Sequence, residues 1–492
     1  MFLNTVTDQI NRLLLRGAQG GITENQFFAA EIKEWKDSNR RKEQMLGDLY
    51  YEGRQDILRR QRTVIGENGK QEVVTNLPNN RLVDNQYALM VDQKTNYLVG
   101  KPFTLNCQDK KYIDCLSKVF HKRFYRLLKY VCEDALNGGL GWIYPYYNEW
   151  GELAFKHFPA YDILPFWTDD AHTILDCAVR YYTKEVWNGC KKETVEKVEI
   201  FKVDGLYRYL YQNDMLIADV EAGAHESYFM LEEEGRETKA FNWARIPLIP
   251  FKYNKQEIPL IRRVKTLQDG INTMLSDFEN NMQEDARNTI LVLKNYDGEN
   301  LGEFRHNLST YGAVKVRDDG GVETLQVEIN AENYKSILEL LKKSLIENAR
   351  GYDAKDDRLS GSPNQMNIQS MYSDIDLDAN GMETEFQAAF EELLWFINQD
   401  FINRGLGDFE GIDLQIVFNR DILINETESI ENCSKSVGIL STETIVEQHP
   451  WVRDVEVELS RLRKEKDEAM EQAQEYTDAF KGGTQSDGEG DG

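Results

Sequence analysis

No stretch of this chain runs to about 18 consecutive apolar residues, so nothing in it reads as a membrane-spanning helix. The opening residues, MFLNTVTDQINRLLLRG, have apolar positions at helical spacing. They lack a basic start, a continuous apolar core and a small-residue cleavage site, and so do not read as a signal peptide. Cysteine is scarce: Cys107, Cys115, Cys132, Cys177, Cys190 and Cys433 form no C-x-x-C pair and show no metal-type spacing. They read as reduced thiols of a cytosolic protein. The histidines (His121, His157, His172, His225, His306, His449) stand singly, a pattern that suits structural roles. There is no G-x-x-x-x-G-K-[ST], no H-E-x-x-H, no G-x-S-x-G and no dinucleotide-binding glycine pattern. The expectation is a protein without a catalytic centre and without a cofactor.

Positive charge is the largest deficit. Lys and Arg number 58 against 84 Asp and Glu, a net charge of −26. Such a field opposes ordinary nucleic-acid binding, which relies on cations neutralising phosphates. Any contact with DNA has to be local or deliberately non-adhesive. The rest of the composition is that of a folded protein, 41% apolar and 11% aromatic. Its 492 residues leave room for two to four domains.

The most regular stretch is Ile258 to Asn288. Leu260, Val264, Leu267, Ile271, Met274, Phe278 and Met282 recur at steps of three and four, one stripe along a single helix of roughly 45 Å. Pro259 suits its first turn. The opposite face, with Arg262, Arg263, Lys265, Asp269, Asn272, Asp277, Glu279 and Glu284, reads as solvent-facing. A narrow seam on so long a helix calls for lateral neighbours; a core helix of a monomer is the plainer alternative.

Around it, residues 24–61 are helical in pattern, capped at Thr23 and interrupted at Tyr50–Gly53. Further helices are predicted over 82–98, ended by Gly100 and Pro102, and over 111–136. From Trp142 to Pro250 alternating runs give an antiparallel β region, closed by IPLIP, whose prolines rule out a helix or a central strand. After the long helix comes an insert: strand Thr289–Lys294, helix Leu301–Leu308, strands Ala313–Val316 and Val322–Val327, with a hairpin turn at Asp318–Gly321. A second long helix follows over 331–349. Residues 351–364 read as a loop and 364–404 as a helix kinked or broken at Gly381. Leu414–Phe418 is a strand. Helices near 427–439, 442–448 (capped at Ser441) and 453–480 precede a tail disordered by composition.

Two clusters carry possible chemistry. Asp374, Asp376, Asp378 and Glu385 match four oxygen-ligand positions of an EF-hand loop, but Ala379 stands where that loop requires glycine. They leave a metal-dependent enzyme as the alternative function; a helix continuous through Asp378 would point Asp374 and Asp376 about 200° apart and exclude it. Lys342, Lys343, Lys355 and Arg358 form a local basic patch in an acidic chain, an ordinary solvated face unless they line something.

Four stretches in order, around a strand–helix–strand insert between long helices, carry a resemblance: Tyr50–Ile57 (YYEGRQDI), Asn79–Pro102, Ile246–Asn254 (IPLIPFKYN) running into VKTLQDGINTMLSD, and Gly438–Glu443 (GILSTE). Over about residues 25–470 the layout resembles the tailed-bacteriophage portal proteins, of the branch found in long-tailed phages of Bacillus and related hosts. The resemblance implies an α+β fold: a mixed α/β wing (1–257), stem helices (258–288 and 329–350) bracketing a small α/β clip (289–328), and a tunnel loop (351–364). A long wing helix (365–405), a helical crown (406–481) and an acidic tail (482–492) complete it. It implies a ring of about twelve copies at one capsid vertex of the virion, assembled in the host cytoplasm, through which double-stranded DNA is packaged and ejected. Terminase, head-completion or adaptor proteins, capsid and scaffolding proteins are the implied partners. Leu260, Val264, Leu267, Ile271, Met274 and Phe278 would then form the intersubunit stem seam, and Lys342, Lys343, Lys355 and Arg358 would face the DNA. A capsid-associated scaffold of another kind would share the acidic helices but not the insert.

Overall fold

The computed structural model describes residues 23–482 apart from 66–68, 76, 232–238, 285–289, 297–299, 301, 303–305, 307–309, 311–315, 326–330, 355–364, 421–425 and 453–454. The chain divides into two compact units, Met1–Gly351 with Asp374–Asp421, and Tyr352–Ser373 with Ile422–Gly492.

In the first unit the helical run after Thr23 is two helices. Thr23 and Gln26 form a reciprocal capping box that starts α1 (Glu24–Asp37). Ser38 ends it, then caps α2 (Asn39–Tyr51) by accepting from the Arg41 N–H. The helix predicted from Leu82 begins later, as α3 (Gln86–Val99), because residues 78–85 have no regular secondary structure and Asn85 caps the helix at Ala88. α4 (Lys110–Val119) and α5 (Lys122–Gly138) follow. Gly139 then turns the chain in the left-handed region (φ 84°), where a Cβ would overlap the Glu257 carbonyl.

Among the described residues the predicted β region forms two main antiparallel sheets and a separate two-stranded one, Phe229–Leu231 with Lys239–Phe241. Leu140–Tyr147 lies between Leu153–Pro159 and Ile249–Lys252. The IPLIP segment therefore contributes an edge strand, with Pro250 opposite Trp142. The larger sheet runs in the order Met215–Ala218, Gly205–Gln212, Lys191–Lys202, Leu175–Asn188, Ile163–Trp167. Trp142, Phe158, Phe201 and Leu248 share one core cluster. Phe28 and Ile32 of α1 pack with Val179, Val198 and Ile200 of the larger sheet in another.

Two long helices, α6 (Ile261–Glu284) and α7 (Ala331–Ala349), flank the antiparallel strands Ile290–Tyr296 and Val316–Leu325. The predicted helix Leu301–Leu308 lies largely outside the described residues. Asp318–Gly321 is no hairpin turn. Val316 pairs with Tyr296 and Gly321 with Lys294, so both sides of the DDGG sequence belong to one strand. The sequence forms a bulge against Asn295, with Asp319 at φ 64°. α8 (Gln365–Asn403) runs through Gly381 without a break. Met382, Phe386 and Phe390 are buried just beyond it, and their burial outweighs the cost of about 1 kcal/mol for a helical glycine. Phe390 sits among Phe103, Phe120, Phe124, Phe251 and Phe418. The strand Gln415–Val417 pairs with Thr104–Asn106 in the same unit.

The second unit contains Tyr352 tilted against Tyr372, ring centroids 4.4 Å apart, and the helices α9 (Glu426–Lys435), α10 (Thr442–Glu447) and α11 (Val455–Gly482). Ser441 caps α10 by accepting from Thr444. Cys433 and Val446 are its buried side chains in α9 and α10.

Candidate functional site at the ends of the long helices

The site is built on one face of α6 that the sequence pattern does not mark as special. Gln268, Asn272, Ser276 and Asn280 recur every fourth residue and are all buried. Each accepts a hydrogen bond from a backbone N–H of the segment before and into α3. Asn280 Oδ1 takes Asn80 N–H at 2.7 Å, Ser276 Oγ takes Leu82 at 3.0 Å, Asn272 Oδ1 takes Asp84 at 2.9 Å and Gln268 Oε1 takes Tyr87 at 3.0 Å. Four residues of helix rise about 6 Å and two residues of extended chain about 6.6 Å, so the two rows stay in step over three rungs. Gln268 Nε2 closes the pattern by donating to the Asp84 carbonyl at 2.6 Å, and Asn272 Nδ2 donates to Gln55. The Asn79–Asn85 stretch is thus bound along α6 as a strand would be bound by a sheet edge. Asn272, read from sequence as solvent-facing, is fully buried.

This changes what the apolar stripe does. Leu260, Val264 and Ile271 are buried in the chain's own interior. Leu267, Met274 and Phe278 are only half-buried. Phe278 rests on Tyr334 of α7, with ring centroids 5.2 Å apart. Three of the six predicted seam residues therefore serve this chain's own core.

The basic patch is likewise divided. Lys342 Nζ is 2.6 Å from Asp84 Oδ2, its charge paired within the chain. Lys343 is exposed. Lys355 and Arg358 lie outside the described residues.

At the other end of the site Asp378, buried on α8, collects groups from four elements. Lys94 Nζ of α3 lies 2.8 Å from Oδ2, and the Tyr253 hydroxyl donates to the same oxygen at 2.7 Å. Arg263 of α6 and Arg350, at the end of α7, approach Oδ1 at 3.3 and 3.5 Å. Burial alone would raise this carboxyl; Lys94, the Tyr253 hydrogen bond and Arg263 outweigh it and hold it below the usual carboxylate range. For Lys94 burial dominates and lowers the ammonium; Asp378 opposes that, and Arg263 and Arg350 add to it.

The other acidic residues of the EF-hand-like spacing go elsewhere. Asp376 accepts from the Tyr97 hydroxyl at 3.0 Å and pairs with Arg420, which also binds Glu383 at 2.6 Å. Asp374 is exposed. α8 is continuous through all of them, so Asp376 points about 200° from Asp374 and Glu385 lies about 10 Å further along the axis than Asp378. The Asp378 carboxylate is already taken by Lys94 and Tyr253; the four do not converge on one ion. Among the described residues no group of three or more His, Cys, Asp or Glu could hold an ion.

Sequence reasoning missed the polar ladder and the Lys94–Asp378 centre. The four-residue spacing of Gln268, Asn272, Ser276 and Asn280 was visible, but on a helix it looks the same as a wet face. What the site does chemically is hold: it fixes an extended segment, two long helices and α8 in one register. Fold and site together define a protein built around a pair of long helices whose register is set by a buried polar ladder.

The chain has relatives over most of its length. It belongs to the family described as "Phage portal protein, SPP1 Gp6-like", which matches residues 31–472. It is 29% identical over 470 residues to the portal protein of Bacillus phage SPP1, covering 95% of this chain and 92% of that one. It is 27% identical over 461 residues to the portal protein of Clostridium phage phiCD119, covering 89% and 96%. Among solved structures, a chain from the virion of a native gene transfer agent particle aligns with TM-score 0.39 and 11% identity, over 73% of this chain and 88% of that one.

Proposed function

We propose that this chain is the subunit of a closed ring of about twelve copies at one capsid vertex, the channel through which double-stranded DNA is packaged and later ejected. α6 and α7 form the stem, the strand pair between them belongs to the clip, and the N-terminal helices and sheets form the wing. The C-terminal helices form the crown. The clip is the docking surface for terminase and then for head-completion or adaptor proteins; capsid and scaffolding proteins meet the ring in the host cytoplasm before it enters the virion.

One observation carries the reading: the stem helices keep apolar side chains exposed after the chain has filled its own core. Met282, Ile337 and Leu340 are exposed, Leu340 by 64%, beside the half-buried Leu267, Met274 and Phe278. In a closed ring each copy presents this strip to a different surface of the next. The net charge of −26 suits a channel wall that does not grip phosphate.

The test is native mass spectrometry of the full chain and of Leu340→Asp. The wild type should give a ring, and the variant smaller species with an unchanged circular-dichroism spectrum. A variant ring as stable as the wild type would sink the seam; a wild type that stays monomeric under all assembly conditions, including with its capsid proteins, would sink the ring.

A further inference from the structure

Arg350 is out of place by the ordinary rules of helix ends. It closes α7 in the left-handed region (φ 53°). The Gly351 N–H donates to Ile346 and the Arg350 N–H to Glu347, the paired pattern of a Schellman terminus. The left-handed residue of that motif is usually glycine, because a Cβ strains it. Here glycine comes one residue later, at Gly351, where a Cβ would stand 2.6 Å from Met90 Sδ. A side chain held at a strained position points to a use for that side chain.

Its surroundings indicate the use. Asp378 is the one carboxylate that Lys94, Arg263 and Arg350 share among the described residues. Its Oδ2 is already engaged by Lys94 and Tyr253 at short range. The arginines reach only Oδ1, and at longer distances. Three cations against one carboxylate leave a local surplus of positive charge in a strongly acidic chain. Lys94 is sealed behind Asp378, with its side chain 4% exposed, and donates to the Arg350 carbonyl at 3.0 Å, which fixes the strained turn. Arg350 is open to solvent, its side chain 55% exposed. A guanidinium has five N–H donors; Arg263 and Arg350 approach Asp378 through Nη1, and Arg263 Nη1 also donates to the Tyr253 hydroxyl at 3.1 Å. The remaining donors suit a second oxyanion, for which planar, forked guanidinium groups are fitted.

We propose that Arg263 and Arg350, held by the Lys94–Asp378 pair, form a phosphate-binding site that contacts the backbone of DNA at the end of the helix pair opposite the inserted strands. The site rests on the channel reading for its ligand, but not for its chemistry. It supplies one localised, salt-sensitive contact per copy on a wall that otherwise repels. It also replaces Lys342, whose charge Asp84 already pairs.

The experiment uses the full chain with Arg350→Gly, Arg350→Lys and Arg263→Gln, binding a short DNA duplex across a salt series by fluorescence anisotropy. Arg350→Gly removes the charge and suits the left-handed turn, so its melting temperature should hold or rise while DNA affinity falls. The slope of log affinity against log salt should shrink by about 0.9 for each phosphate that is no longer neutralised. Arg350→Lys should keep most of that slope, and Arg263→Gln should reduce it as Arg350→Gly does. Unchanged affinity and slope in Arg350→Gly and Arg263→Gln would overturn the proposal, as would Arg350→Lys behaving like Arg350→Gly. Inorganic phosphate serves as a second probe in thermal shift: Arg350-dependent stabilisation with DNA binding unaffected would assign free phosphate and refute the DNA contact. Native mass spectrometry of the same samples separates the two readings. A ring whose DNA affinity ignores Arg350 removes this site alone; Arg350-dependent binding by a chain that never forms a ring removes the portal reading alone.

Discussion

Lys342 on α7 and Asp84 in the extended segment form an ion pair at 2.6 Å, and the backbone of the same aspartate is held on both sides by α6. Asn272 accepts its N–H and Gln268 donates to its carbonyl. One residue therefore ties the two long helices together through a third piece of chain. The pair is partly exposed, and such pairs contribute about 0.2–1 kcal/mol. Urea denaturation of Asp84→Asn, Lys342→Gln and the double variant should show small losses that are less than additive. The coupling should fade at high salt; strictly additive losses would mean the two residues act independently.

The ladder is the stronger contributor. Replacing Asn272 or Ser276 by an apolar residue of similar size leaves the backbone N–H of Asp84 or Leu82 buried and unpaired. An orphaned buried donor costs about 1–3 kcal/mol. Asn272→Leu should therefore lower the unfolding free energy by that order, and Ser276→Ala by rather less, since its smaller side chain leaves room for water. Thr266→Ala, at an exposed position of the same helix, should change it little. Equal effects at Thr266 and Asn272 would mean the hydrogen bonds carry no net stability.

What could be read from the chain, and what could not, follows from the range of each interaction. Thr23 and Ser441 were legible as caps because a cap bonds residues two or three positions away. The stripe of Leu260, Val264 and Ile271 was legible as a buried face. Periodicity says that a face is covered but not by what, so its assignment to a neighbouring copy was open to correction. The ladder was illegible for the same reason: Gln268 and Asn272 look solvated until a row of N–H groups more than 180 residues away is laid against them. Asp378 could be grouped by sequence only with Asp374 and Asp376. Its actual partner, Lys94, is 284 positions distant. Asp318–Gly321 had the composition of a turn, but strand pairing with Ile290–Tyr296 on both sides made it a bulge.

Mild acid should stabilise the first unit, and two aspartates say why. Asp48 of α2 is raised to about 6, first by burial and then by Asp134, against hydrogen bonds from Tyr161 and Asn137 that lower it. Asp162 is also raised to about 6, again first by burial, although Arg180 and Arg41 pull it down. In the unfolded chain both titrate near 3.9. A carboxyl whose folded value lies above its unfolded value favours the folded state while protonated, and that advantage is lost as pH rises from about 4 through 6. His157 works in the same direction: its hydrogen bond with Asp134 raises it despite burial, so its contribution is present below about 6.5 and lost above its folded value. Glu257 and Asp378, both lowered, oppose this only at stronger acidity, as pH falls through their folded values. The melting temperature should therefore climb from pH 8 to pH 5 and fall again below about 4. Asp48→Asn removes one ionisable member while keeping a side chain that can accept from Tyr161. It should be more stable than the wild type at pH 8, by about 1–3 kcal/mol, and the gap should close by pH 5. A constant difference across that range would mean that Asp48 is not the titrating group.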